Sequence, residues 1–219
     1  MTDQINHHLT DALLMAYSAG TLPEAFSLAV ATHISMCDEC RARLGAFDMM
    51  GGALMHDCEA AELAAGSLEA TMERIKSGNP SRVADAPVRR KSKGVLPGPV
   101  QDYVGGDIDA VTWKNVGMGV KQAILPTSRD ASARLLYIPA GAAVPDHGHA
   151  GTELTLVLQG AFRDEIDYFG RGDIEIANED LDHTPVADIG EDCICLAATD
   201  APLKFKGLIP RIAQPFLRI

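Results

Sequence analysis

The chain has 219 residues, 47% of them apolar, with 19 basic and 30 acidic side chains and a formal net charge of −11. Its length suits one or two domains of roughly 100 residues, its apolar content excludes disorder throughout, and its charge disfavours direct binding to nucleic-acid phosphates. No stretch approaches 18 uninterrupted apolar residues, so no membrane span is expected. The polar, acidic start is unlike a secretory signal, and a cytoplasmic location is the expectation.

The first 77 residues read as helices. Apolar residues fall at helical spacing over 11–17, and Gly20 can end that helix. Thr21-Leu22-Pro23-Glu24 has the form of a capping box for a second helix over about 22–36. A third is expected over about 38–50, stopping at Gly51-Gly52, with weaker signals at 53–64 and 67–77. Residues 78–99 contain four prolines, no apolar periodicity and a basic run, Arg89-Arg90-Lys91, and read as an extended linker. Charge divides accordingly: −7 over 1–77, +4 over 78–99 and −8 over 100–219. Beyond the linker the period changes to two. Short Val-, Ile- and Leu-rich runs at 118–125, 133–138, 153–158, 173–177 and 192–197, separated by Gly, Pro and Asp, predict a β-sandwich or barrel. The fold class is thus an α plus all-β two-domain chain: a small helical bundle at 1–77, a linker at 78–99 and a β-barrel at 100–219.

Six of the seven histidines fall into two groups. The first is His33-x3-Cys37-x2-Cys40. On a helix His33 and Cys37 share a face, and Cys37 and Cys40 meet across a turn. Two thiolates and an imidazole around one point suit tetrahedral zinc, which needs a fourth ligand that His7 or His8 can supply. A helical domain of this size has a small core and gains from a metal staple. The run resembles the zinc-binding anti-sigma domain, and the segment His8-Leu9-Thr10-Asp11 places His8 where that family has its first ligand. The resemblance implies Zn2+ held by His8, His33, Cys37 and Cys40. It also implies a partner, an extracytoplasmic-function sigma factor of RNA polymerase.

The second group is Gly141-x5-His147-x-His149-x3-Glu153-x6-Gly160, with His183 further on. His147 and His149, two apart on extended chain, point to one side. Imidazoles with a carboxylate suit zinc, iron, manganese or nickel. The run resembles the first cupin motif residue for residue. Gly172-x5-Asn178 through His183 keeps the spacing of the second motif but lacks its proline, its second glycine and its final asparagine. The resemblance implies a cupin barrel with one metal on His147, His149, Glu153 and His183. Cys193 and Cys195, two apart on a predicted strand, read as core thiols, and Cys58 beside His56 as no metal site.

Zinc anti-sigma domain, basic linker and cupin in this order resemble the ChrR type of anti-sigma factor, as do Phe162-Arg163-Asp164-Glu165 and Cys193-Ile194-Cys195-Leu196. The resemblance implies a non-enzymatic negative regulator of transcription. Its helical domain binds the sigma factor, and its cupin domain is required for release under oxidative stress of the singlet-oxygen type. The alternative is a cupin metal enzyme, a dioxygenase or isomerase, with a helical accessory domain.

Overall fold

A computed structural model describes residues 4–78, 94–148, 150–179, 182–202 and 204–205. The first helix, α1 (Asp11–Ser18), starts where Thr10 Oγ1 accepts from the Leu13 amide at 3.3 Å, and ends at Gly20, whose φ is +66°. The helix α2 (Glu24–Met36) follows and turns at Cys37 into α3 (Asp38–His56). Two local expectations are corrected here. The capping box does not form: Thr21 Oγ1 donates back to the Ala16 carbonyl, while the Glu24 carboxylate accepts from Tyr103 Oη and the Ser128 amide, both at 2.7 Å. Long-range partners outcompete the local cap. The third helix also runs through Gly51-Gly52 to His56, since glycine costs a helix only about 1 kcal/mol per residue. Beyond α4 (Ser67–Lys76), the described part of the range read as linker is packed. Val95 and Leu96 donate their amides to the Asp107 carboxylate, Leu96 is buried, and α5 (Gly98–Val104) begins inside that range. Residues 79–93, including Arg89-Arg90-Lys91, lie outside the described residues.

After one turn of 3-10 helix at Ile108–Ala110 the chain is β. The strands are β1 (Lys114–Gly117), β2 (Val120–Leu125), β3 (Ser132–Ile138), β4 (His147–Gly148), β5 (Glu153–Gln159) and β6 (Phe162–Arg163). They continue as β7 (Tyr168–Phe169), β8 (Ile174–Ala177), β9 (Asp182–His183), β10 (Val186–Ala187), β11 (Cys193–Thr199) and β12 (Lys204–Phe205). One antiparallel sheet has the order β1-β2-β3-β11-β5-β8; two smaller ones have the orders β10-β6-β7 and β12-β4-β9.

The strand period divides the large sheet's two faces. Val120, Ile138, Val157, Cys193 and Cys195 point inward and pack with Phe162 and Phe169 of the small sheet. Their neighbours Leu135, Leu154, Leu156, Ile194 and Leu196 point outward into a second cluster, which also contains Phe26, Leu28 and Val30 of α2. Because both faces are covered, every residue of β11 is buried. The helix α2 lies on β3, β5 and β11 with seven of its thirteen residues buried, so one core runs through both halves of the chain. Leu135 sits in this shared core with no exposed surface. Leu135→Ala is expected to destabilise the full chain by about 3 kcal/mol, read as a lower denaturation midpoint in a single transition followed by both fluorescence and circular dichroism.

Candidate metal centres

The N-terminal centre is assembled from three backbone segments. His8 precedes α1, His33 lies in the last turn of α2, and Cys37 is the hinge residue at which α2 ends and α3 starts. Cys40 follows in the first turn of α3. The extended backbone of Cys37, φ −105° and ψ 109°, turns its sulfur onto the α3 N-terminus, where it accepts from the Cys40 amide at 3.4 Å. His8 Nδ1 lies 3.3 Å from Cys37 Sγ and 3.7 Å from Cys40 Sγ, and one donor atom from each of the four residues falls within 4.8 Å of the others. Metal–ligand distances near 2.3 Å for sulfur and 2.0 Å for nitrogen set tetrahedral edges of about 3.3–3.8 Å. The donor set therefore closes on one ion with little movement.

Two further observations support that fit. His33 Nδ1 is bonded at 3.0 Å to the Gly172 carbonyl, and Nε2 is buried with no hydrogen-bond partner. An orphaned ring nitrogen beside two sulfurs is what a metal ligand looks like without its ion. Burial also pulls the His33 pKa down to about 4, which keeps the imidazole neutral and able to ligate. Burial pushes the Cys40 thiol up to about 11 in the absence of a cation; a bound divalent ion reverses that preference and deprotonates the sulfur. Glu39 lies 3.4 Å from His8 Nε2 and orients that ring from behind. The group can bind a metal, and its two sulfurs and two imidazoles match the chemistry of zinc. It contains His8; His7, the other candidate for the fourth ligand, instead contacts Asp167 at 3.1 Å and Phe169.

In the barrel, His147 on β4 stands directly opposite His183 on β9 in the antiparallel register. Glu153 opens β5, and burial raises its pKa to about 7, with His183 near enough to oppose that shift. His149 lies outside the described residues. Two carboxylates not anticipated from the sequence join His183: its Nδ1 meets Asp164 Oδ2 at 3.0 Å and Glu175 Oε1 at 3.2 Å. Burial opposes charge on His183, but these carboxylates prevail and lift it to about 9. Asp164 is held near 2 against burial by the amides of Asp167 and Ile166 and by His183. Asp164 and Glu175 thus occupy one ring nitrogen of His183 and fix its orientation. Among the described residues the Asp164, Glu175 and His183 oxygens and nitrogen form a second group able to hold a metal. Cys193 and Cys195 are buried with sulfurs 3.5 Å apart, as core thiols should be, and Cys58 is exposed.

A helical unit carrying a His2Cys2 cluster able to hold a metal thus packs on an antiparallel β unit with a second group of metal-ligating side chains. Residues 101–202 match the family described as the ChrR cupin-like domain. The anti-sigma-E factor ChrR of Cereibacter sphaeroides is 59% identical over 215 residues, which span 98% of this chain and 99% of that protein. A crystal structure of Rhodobacter sphaeroides SigE in complex with the anti-sigma ChrR contains a chain that aligns with a TM-score of 0.78 and 58% identity, over 90% of this chain and all of that one. An RmlC-like cupin protein from Ralstonia eutropha aligns with a TM-score of 0.41 and 23% identity, over 47% of this chain and 71% of its own. The chain belongs to the ChrR family of anti-sigma factors, a regulatory and not a catalytic family.

Proposed function

We propose that the chain sequesters an extracytoplasmic-function sigma factor in the cytoplasm through its helical half, and that an oxidative signal of the singlet-oxygen type, requiring the barrel, releases it. The division is 1–77 for sigma binding, 78–99 as connection and 100–219 as sensor. Zinc on His8, His33, Cys37 and Cys40 staples the helical half. A second metal, zinc, iron, manganese or nickel, is held by His147, His149, Glu153 and His183. Among the described residues no helix is long and apolar enough to cross a membrane.

The observation that carries this reading is the outer half of α3 together with α4. Met49, Met50, Leu54 and Met55 on α3 and Leu68 and Ile75 on α4 are exposed, and α4 buries no residue. Apolar side chains displayed in this number mark a protein-binding surface, and methionines suit one that must adapt to a partner. Flanking acidic charge favours encounter with a basic partner. The relatives named above are an anti-sigma factor and a structure containing SigE with ChrR, which points to the kind of partner.

Titration of the full chain with the extracytoplasmic-function sigma factors of its source organism tests the proposal. One of them should bind, and Leu54→Glu combined with Met55→Glu should weaken binding about 30-fold or more, as for loss of a central interface contact worth about 2 kcal/mol. The circular dichroism should stay unchanged, since both positions are exposed. Absence of any sigma-factor complex overturns the function; undiminished binding by the double variant overturns the surface. Photosensitised singlet oxygen should dissociate the complex formed by the intact chain but not one formed by a His183→Ala chain.

A further inference from the structure

The barrel reaches into the N-terminal metal centre. The turn between β7 and β8, residues 170–173, makes two separate connections to it. The Gly172 carbonyl accepts from His33 Nδ1 at 3.0 Å, in a buried bond between groups 139 residues apart. The next residue, Asp173, is also buried, and its Oδ1 accepts the amides of Asn6 at 2.6 Å and His7 at 2.8 Å. Its other oxygen, Oδ2, accepts the Gly170 amide at 2.8 Å and holds the turn itself. The Ile174 amide reaches the His7 carbonyl at 3.4 Å, so the N-terminal segment lies along β8, the edge strand of the large sheet. His7 adds ring contact with Phe169, centroids 4.4 Å apart. At Gly172, φ is +92°, a backbone conformation that favours glycine, and the turn lies against Ile5, whose side chain a Cβ would have to push aside.

Two of the four donors are therefore placed by the other half of the chain. The Gly172 carbonyl accepts a hydrogen bond from His33 Nδ1–H and leaves Nε2 for the cluster. Asp173 pins the residues immediately before His8, whose Nδ1 faces both sulfurs. We infer that the Gly170–Asp173 turn is a positioning element of the N-terminal metal centre, so that metal binding by the helical half and docking of the barrel strengthen each other. The inference rests on the reading of the cluster as a metal site and extends it. Outer groups that orient metal-bound imidazoles are worth about 10–100-fold in metal affinity, and such coupling is reciprocal between the two equilibria. Whatever loosens the barrel then weakens the metal centre between α2 and α3, and whatever removes the metal loosens the barrel.

The test uses the full chain and cobalt(II). Thiolate ligation produces a near-ultraviolet charge-transfer band, and its loss in Cys37→Ser assigns that band to this centre. Asp173→Asn keeps one carbonyl oxygen and can satisfy the turn or the Asn6 and His7 amides, not both. It should weaken cobalt binding about 10–100-fold, and chelation of the wild-type chain should speed exchange of the Asn6 and His7 amides by a similar factor. A second measurement needs no variant: the imidazole 15N spectrum of the metal-loaded wild-type chain should show His33 protonated at Nδ1 and bound through Nε2. Cobalt affinity within twofold of wild type in Asp173→Asn, or His33 bound through Nδ1, overturns the inference while leaving the metal site standing. No charge-transfer band in the wild-type chain overturns the metal site itself.

Discussion

Cys40→Ser is expected to abolish tight metal binding at the N-terminal centre and to lower the stability of the whole chain. Cys40 is fully buried at the start of α3, and its sulfur completes a set drawn from the segment before α1, the end of α2, the hinge and α3. A serine hydroxyl stays protonated at neutral pH and cannot supply the second negative sulfur. Structural zinc of this kind is worth about 10–16 kcal/mol. One ligand in four accounts for about 3 kcal/mol, or more than 100-fold in affinity. A metal held there would also join helices that bury few residues of their own: Leu14 on α1, and only Cys40 and Leu44 on α3. Zinc content after dialysis against a weak chelator and thermal melting of the full chain give the two readouts. Cys58→Ser is the control, since Cys58 is exposed and outside both groups. Retention by Cys40→Ser of a site as tight as in the wild type would exclude the staple.

The second large effect is predicted at Gly160, the last residue of the motif that begins at Gly141. Gly160 follows β5 with φ at +65°, and a Cβ there would lie 2.7 Å from the Asp192 carbonyl oxygen and 3.2 Å from Cys193 Cα. Both obstacles are backbone and cannot swing aside. Gly160→Ala combines the cost of a left-handed non-glycine residue, about 1–2 kcal/mol, with an overlap of about 1–3 kcal/mol. A loss of about 3 kcal/mol is expected. The damage should centre on β11, because Asp192 also anchors Tyr137 Oη and the Ala140 amide through its carboxylate. Hydrogen exchange of β11 amides in Gly160→Ala against wild type is the direct measurement, and unchanged protection there would refute the steric account.

Gly160 also shows what a sequence can state. Its spacing from Gly141 marks the cupin resemblance, and the physical reason is a backbone-to-backbone approach that tolerates no side chain. The period of two likewise announces the strands, and His33-x3-Cys37-x2-Cys40 announces a cluster because all three donors lie within eight residues. For the fourth donor, spacing leaves His7 and His8 open, the family resemblance prefers His8, and the fold groups His8 with the other three. What the sequence hides is recruited from afar. Asp164 and Glu175 sit among eighteen acidic residues after position 99, with no spacing that ties them to His183. Gly172 reads as the start of the second cupin motif and Asp173 as the start of a strand, and nothing local says that either faces the N-terminal centre. Thr21-Leu22-Pro23-Glu24 fails as a cap for the same reason: Tyr103 and Ser128 claim Glu24 from more than 75 residues away.

The shared core around α2 is what holds the two halves of the chain together. Covalent joining of two pieces by a short peptide confers an effective concentration on the order of millimolar. Two halves that associate at about 1 μM as separate pieces would then be closed about 1,000 to 1 when joined, a bias of about 4 kcal/mol. That is the scale of a handful of local events, such as one lost metal ligand or one damaged buried contact. Loss of the covalent connection alone would convert a concentration-independent latch into one that dilution undoes.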